Sequence, residues 1–390
     1  MFLINSLERK LYQLIICRLE GDKINDNAYC DRIFRLLEKG IGGFIIFGGI
    51  KDHIKPFIDK LQSSSKTPLF IASDIERGVG QQIKGATDFP CAMAIASAID
   101  RNNPSDISIL EEMIRAISLE AIDIGINMPL IPVLDINTNP DNPIICTRAF
   151  SDDPLTVSFF GSKYIEIMED LGLITCAKHF PGHGGTSVDS HISLPVINKS
   201  KKDLMEMEMV PYINAIKTGI SSIMVGHLSI PALDKRPATV SKKIITGLLK
   251  RELEFKGLIL TDALNMDAIR DYENLYSECL KAGAHILLHP EDPDTTVKEL
   301  NKALELGMIN ETIIDETIEK ILKIKVRIGD IKIHKCDYSK NYALSSEISK
   351  MSITAVKKGD ALLPISDFNN VRLVFAGDTN LYQSSLLNEY

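Results

Sequence analysis

A closed barrel of eight parallel strands, an α/β fold of the (β/α)8 TIM type, is what this sequence predicts. Three observations predict it. Short apolar runs alternate with longer amphipathic stretches, the pattern of parallel βα units joined by right-handed crossovers. Eight such runs fall within about 300 residues, which favours a closed barrel over an open doubly wound sheet. Polar side chains gather just after several of the runs, at the carboxyl ends of the expected strands, where such barrels carry their chemistry.

The strands are expected at 14–17, 43–47, 69–73, 128–134, 173–177, 222–225, 258–261 and 285–288. Each is a short apolar run of the kind that is buried on both faces of a parallel sheet. Between them, 106–124, 155–171, 201–218 and 242–254 carry the longer periodicity of helices. Asp74 follows the third strand, Asp135 the fourth, Lys178 and His179 the fifth, His227 the sixth and Asp262 the seventh. Any one of these aspartates could instead be the N-cap of the next helix. Capping is a weaker explanation for a whole set of such groups, all expected at one mouth of the barrel.

Composition narrows the function classes. Of the 390 residues, 45% are hydrophobic and 25% charged, ordinary values for a globular chain with a sizeable core. The net charge of −8 comes without a clustered basic patch, which argues against nucleic acid or an anionic membrane as partner. The seven cysteines form no C-x-x-C pair and read as reduced thiols rather than a disulfide frame or a zinc site. No start of the signal-peptide type is visible, and no run approaches the roughly 18 apolar residues of a membrane span. A cytoplasmic location is expected, with no metal, no cofactor and an open oligomeric state. Two regions are expected: a barrel over 1–330, then a linker and an incomplete α/β segment over 331–390. In the latter, 345–357 reads as a helix and 371–376 as a strand.

The densest chemistry lies in Lys178-His179-Phe180-Pro181-Gly182-His183-Gly184-Gly185-Thr186-Ser187-Val188-Asp189-Ser190-His191, followed by Leu194-Pro195. A solvated surface loop is the bland alternative, but polar groups where a buried strand enters a glycine-rich loop are good site material. The stretch resembles the signature of glycoside hydrolase family 3, and specifically its β-N-acetylglucosaminidase branch. In that branch Lys-His-Phe-Pro-Gly-His-Gly is followed by Asp-Ser-His and Leu-Pro. The resemblance extends from the first strand to about Gly329.

Residue by residue, it implies a retaining exo-β-N-acetylglucosaminidase acting on a small saccharide. Asp262 in Thr261-Asp262-Ala263-Leu264-Asn265-Met266 matches the nucleophile, and this Thr-Asp-Ala-x-x-Met form again belongs to the acetamido branch. His191 matches the acid/base, with Asp189 orienting and charging its imidazole. Asp74, Arg148, Lys178, His179, His227 and Met266 fall on sugar-site positions, whereas His183 is read as shaping the loop. Asp74 lies in Asp74-Ile75-Glu76-Arg77-Gly78, where the family continues with two arginines. Val79 and Gln82 stand there instead, and Arg77 is the nearest replacement. Arg148 has a structural alternative, an ion pair with Asp152 or Asp153. Two other functions stay open at this point: a β-N-acetylglucosaminide phosphorylase and a catalytically silent sugar-binding barrel.

Overall fold

The computed structural model describes residue 4 and residues 6–187, 194–332 and 336–353. Helix α1 (Leu7–Gln13), capped by the Ser6 side chain, leads into strand β1 (Ile15–Glu20). Helix α2 (Asn27–Lys39) starts on the Asp26 cap and stops at Gly40, whose φ of +92° other residues rarely adopt. Then come β2 (Gly43–Phe47), α3 (Lys51–Ser64), β3 (Phe70–Ser73), α4 (Ala92–Ala98), α5 (Pro104–Ile124) and β4 (Met128–Pro129). The middle of the chain forms α6 (Pro154–Asp170), β5 (Cys176–Phe180), α7 (Lys201–Glu206), α8 (Met209–Thr218) and β6 (Ser222–Val225). A π-helix (Lys243–Glu252), β7 (Leu258–Thr261), α9 (Leu275–Ala282), β8 (Leu287–Leu288), α10 (Pro293–Glu305), α11 (Glu311–Lys325) and α12 (Tyr338–Met351) follow. Three helices, α5, α6 and α10, open with proline behind Asn103, Asp153 or Asp292 caps, a start that proline's fixed φ favours.

Among the described residues the named strands pair in parallel and are buried nearly throughout, as the apolar runs of the sequence require. Where the sequence predicts eight parallel strands, the regular ladders form two parallel sheets. Pairing divides into a five-stranded sheet, order β4-β3-β2-β1-β8, and a three-stranded sheet, order β5-β6-β7. Isolated parallel bridges Val133–Lys178 and Leu260–Ile286 lie between the two. The first gap has a visible cause. The expected strand 128–134 contains Pro129 and Pro132, which carry no amide hydrogen, so only Met128–Pro129 pairs as a strand. Likewise the expected helix 201–218 breaks in two. Pro211 cannot donate to Met207, whose backbone leaves the helical region at φ −122°, ψ −79°.

The core is one continuous cluster, with Phe150 stacked on Phe160 at 5.0 Å and Phe180 edge-on to Tyr212 at 5.1 Å. At the amino ends of the strands, the buried Lys325 Nζ donates to Gln13 (2.9 Å) and to the Gly42 carbonyl (2.7 Å). Helix α12 packs on α4 and α5. The expected strand 371–376, like everything beyond Ile353, lies outside the described residues. Among the described residues, no helix is long and apolar enough to cross a membrane.

Candidate active site

The expected strand-end groups do meet. Lys178, on buried β5, has a side chain only 2% exposed, and its ammonium reaches Asp74 at 2.5 Å and Glu76 at 2.7 Å. Burial pulls its pKa down, but Asp74 and Glu76 outweigh burial and hold it above that of an ordinary lysine. Glu76, 10% exposed, is clasped on its other side by the Arg148 fork, Nε at 2.8 Å and Nη2 at 2.7 Å. Burial pushes its carboxyl up, but Lys178 and Arg148 override this and hold it well below the usual carboxylate range. Arg148 thus spends its planar fork on Glu76, 72 residues away in sequence, rather than on Asp152 or Asp153. Asp153 instead caps α6 through Thr156.

Asp135, fully buried, is the second anchor. It accepts from the His179 ring at 2.7 Å and from the backbone amides of His179 and His183, the latter at 2.6 Å. Burial pushes its pKa up, but His179 and His183 more than offset this and hold it below an ordinary carboxylate. The carboxylate places the His179 proton on Nδ1, so Nε2 faces Arg148 Nη2, 3.4 Å away, as an acceptor. His183 does shape the loop: Asn142 holds its carbonyl and its Nδ1 meets Thr186 Oγ1 at 2.8 Å. Its ring also lines the pocket, and burial lowers its proton affinity.

Asp262 follows β7 and takes the amide of Ala263 at 2.7 Å. Burial pushes its carboxyl up, but His179, His227 and the Ala263 amide more than offset this, so it too is held ionised. Around it, Asp74, Arg148, Lys178, His179, His183 and Met266 line a cavity of about 110 Å³, with Leu130, Ile144, Met224 and Leu288 as apolar wall. None of Asp74, Asp135 and Asp262 caps a helix; the caps of α4, α6 and α9 are Cys91, Asp153 and Asn274.

His227 is placed differently from the other sugar-site candidates. Its Nδ1 meets Thr239 Oγ1 at 2.6 Å and its Nε2 the Ala263 carbonyl at 3.0 Å, which puts it behind Asp262 as a support. Arg77 points elsewhere, to Asp88 at 3.7 Å, and Val79 is buried in the core. Asp189 and His191 lie outside the described residues. Two groups given no role from sequence, Glu76 and Asp135, organise the site. Among the described residues, no cluster of His, Cys, Asp and Glu has the arrangement of a metal site.

Fold and site together define a parallel α/β protein with an ionised carboxylate pocket at the carboxyl ends of its strands. The family described as "Glycosyl hydrolase family 3 N terminal domain" matches residues 6–324, and the chain belongs to it. Beta-hexosaminidase A of Pseudoalteromonas piscicida is 32% identical over 339 residues, 78% of this chain and 56% of that protein. A beta-N-acetylglucosaminidase/beta-glucosidase of Cellulomonas fimi is 28% identical, covering 79% of this chain and 58% of the other. The chain thus spans a little over half the length of these two relatives. Among solved structures, a family 3 β-N-acetylglucosaminidase from Paenibacillus sp. FPU-7 aligns at TM-score 0.80 and 30% identity, over 90% of this chain and 69% of that one. The β-glucoside phosphorylase BglX aligns at TM-score 0.84 and 26% identity, over 93% and 68%.

Proposed function

We propose that this protein is a retaining exo-β-N-acetylglucosaminidase that removes terminal β-linked N-acetylglucosamine from cell-wall or chitin-derived saccharides. The observation that carries the reading is Asp262, an ionised carboxylate at the end of β7 in a pocket shared with Asp74, Arg148, Lys178 and His179. A glycosidase needs one group to meet the positive charge developing at the anomeric carbon and another to protonate the leaving oxygen. Asp262 attacks the anomeric carbon and forms a glycosyl ester. His191, oriented by Asp189, gives a proton to the leaving oxygen and later takes one from the attacking water. Lys178, Arg148 and Asp74 hold the sugar hydroxyls. The beta-hexosaminidase and β-N-acetylglucosaminidase relatives support the sugar assignment. We also read the two sheets, touching at Val133–Lys178 and Leu260–Ile286, as arcs of one closed barrel with this pocket at its mouth.

The similarity to a β-glucoside phosphorylase favours one second reading, transfer of the glycosyl group to phosphate instead of water. One assay addresses both: release of nitrophenol from β-GlcNAc and β-glucoside substrates, with and without phosphate. The expected result is a β-GlcNAc preference on the order of tenfold, since an acetamido site leaves a buried hydrogen bond unmade with a plain hydroxyl. Equal rates or a glucoside preference overturn the sugar assignment, and a rate dependent on phosphate with glycosyl phosphate as product replaces hydrolysis by phosphorolysis. A slow fluorinated substrate should label the Asp262 peptide; label on another residue removes Asp262 as nucleophile.

A further inference from the structure

At the amino end of β8, away from the pocket, the hydrogen bonds around His285 constrain a lysine. The Ile259 amide donates to His285 Nδ1 at 2.9 Å, and the His285 amide donates back to the Ile259 carbonyl at 2.8 Å, so the ring is stapled to β7. A backbone amide can only donate, so Nδ1 must offer its lone pair and the single ring proton sits on Nε2. That Nε2–H faces Lys250 Nζ at 3.0 Å. An ammonium has no lone pair to accept it; a neutral amine has one. We propose that the His285 Nε2–H draws Lys250 towards its free-amine form and that Lys250 is a nucleophilic site of reversible carbamylation by carbon dioxide.

The surroundings agree. Burial, then Lys320, pull the Lys250 pKa down to about 8, while burial and the two lysines keep His285 far below an ordinary histidine. Lys256 and Lys323 in turn face Lys320, and among the described residues Glu316 is the anion that acts on Lys250. Lys250 remains partly exposed, so a small gas molecule can reach it. In the reaction the Nζ lone pair forms a bond to the carbon of CO2, one C=O π pair moves onto oxygen, and a proton leaves Nζ for water. The product is an N-carboxylate. It turns a group repelled by Lys320 into one attracted to it, and the His285 Nε2–H then donates to a carboxylate oxygen instead of to Nζ. A neutral acyl group would not gain this electrostatic match, which is why CO2 is the electrophile the site fits.

The test incubates the full chain with 13C-bicarbonate across pH 6.5 to 9, traps adducts with a trialkyloxonium salt and locates them by peptide mass spectrometry. At pH 7.5 an amine near pKa 8 is uncharged on the order of a hundredfold more often than an ordinary lysine near 10.4. The adduct should therefore concentrate on the Lys250 peptide, rise through pH 8 and vanish in Lys250→Arg. His285→Phe removes the donor that requires the lone pair and should lower the yield at pH 7.5. Because that variant could disturb folding, the Lys250 side-chain titration is also followed by 13C NMR in the wild-type chain. Adduct spread evenly over the lysines, or a Lys250 titration near 10, overturns the proposal.

Discussion

Glu76 accepts from two cations at once and stands behind the pocket wall rather than on it. Its charge fixes where Lys178 and Arg148 point. Glu76→Gln keeps the shape but removes that charge, leaving the Lys178 ammonium to Asp74 alone. Misplacing a binding group by an ångström can cost roughly 10²-fold, so kcat/KM should fall on that order, with KM rising as the sugar loses both contacts. Steady-state kinetics on a nitrophenyl substrate check this; an unchanged kcat/KM shows that the cations position themselves. Asp135→Asn should likewise lower activity, because an amide no longer holds the His179 proton on Nδ1, and circular dichroism separates this from unfolding. Asp74, Lys178, His179 and Asp262 are legible in the sequence as strand-end groups, and Arg148 as part of a recognisable motif. Glu76 lies in Asp74-Ile75-Glu76-Arg77-Gly78 and Asp135 at a strand end, yet neither role is legible from the sequence. Both act through partners 44 to 102 residues away, and no local spacing encodes such a pairing.

At the scale of elements, α12 shows what a helical pattern alone does not tell. The sequence marks 345–357 as helical, but the helix runs from Tyr338 to Met351, begun by Asp337, whose side chain accepts the Lys340 amide. Its docking rests on Glu120, a fully buried carboxylate in α5 that accepts from the Thr87 amide at 2.8 Å, from Thr87 Oγ1 and from Asn341 Nδ2 at 2.7 Å. Tyr338 adds a bond to Asp123, and Ser345 one to the Asp88 carbonyl. Asn341→Leu takes one donor from a buried anion, which costs about 1–3 kcal/mol. Urea unfolding should show a lower midpoint with little change in kcat, since α12 touches no pocket residue named above. An unchanged midpoint means the helix is held by its apolar face, Leu344 and Ile348, alone. Helices and most strands were legible because periodicity and caps are local. The short β4 turned on Pro129 and Pro132, and the split 201–218 helix on Pro211.

For the whole molecule, acid should be the weak side. Buried His183, His285 and His289 are all pushed below an ordinary histidine, first by burial, with His289 reaching about 4. The unfolded chain returns each to about 6.5, so below that pH it binds protons the folded chain refuses, and stability drops as pH falls. Glu76, Asp135 and Asp262 extend the effect. Burial would raise all three, yet their neighbours hold them below ordinary carboxylates, so their share of stability is complete above about 4.5 and is lost as pH falls towards their folded values. Both sets act in one direction, and nothing in them stabilises the fold on acidification. The urea midpoint should therefore decline in two stages, first between about pH 6.5 and 4 and then below about 4.5. Glu76→Gln should flatten the second stage and leave the first. A midpoint constant from pH 7 to 4 means that these histidines bind protons equally well folded and unfolded.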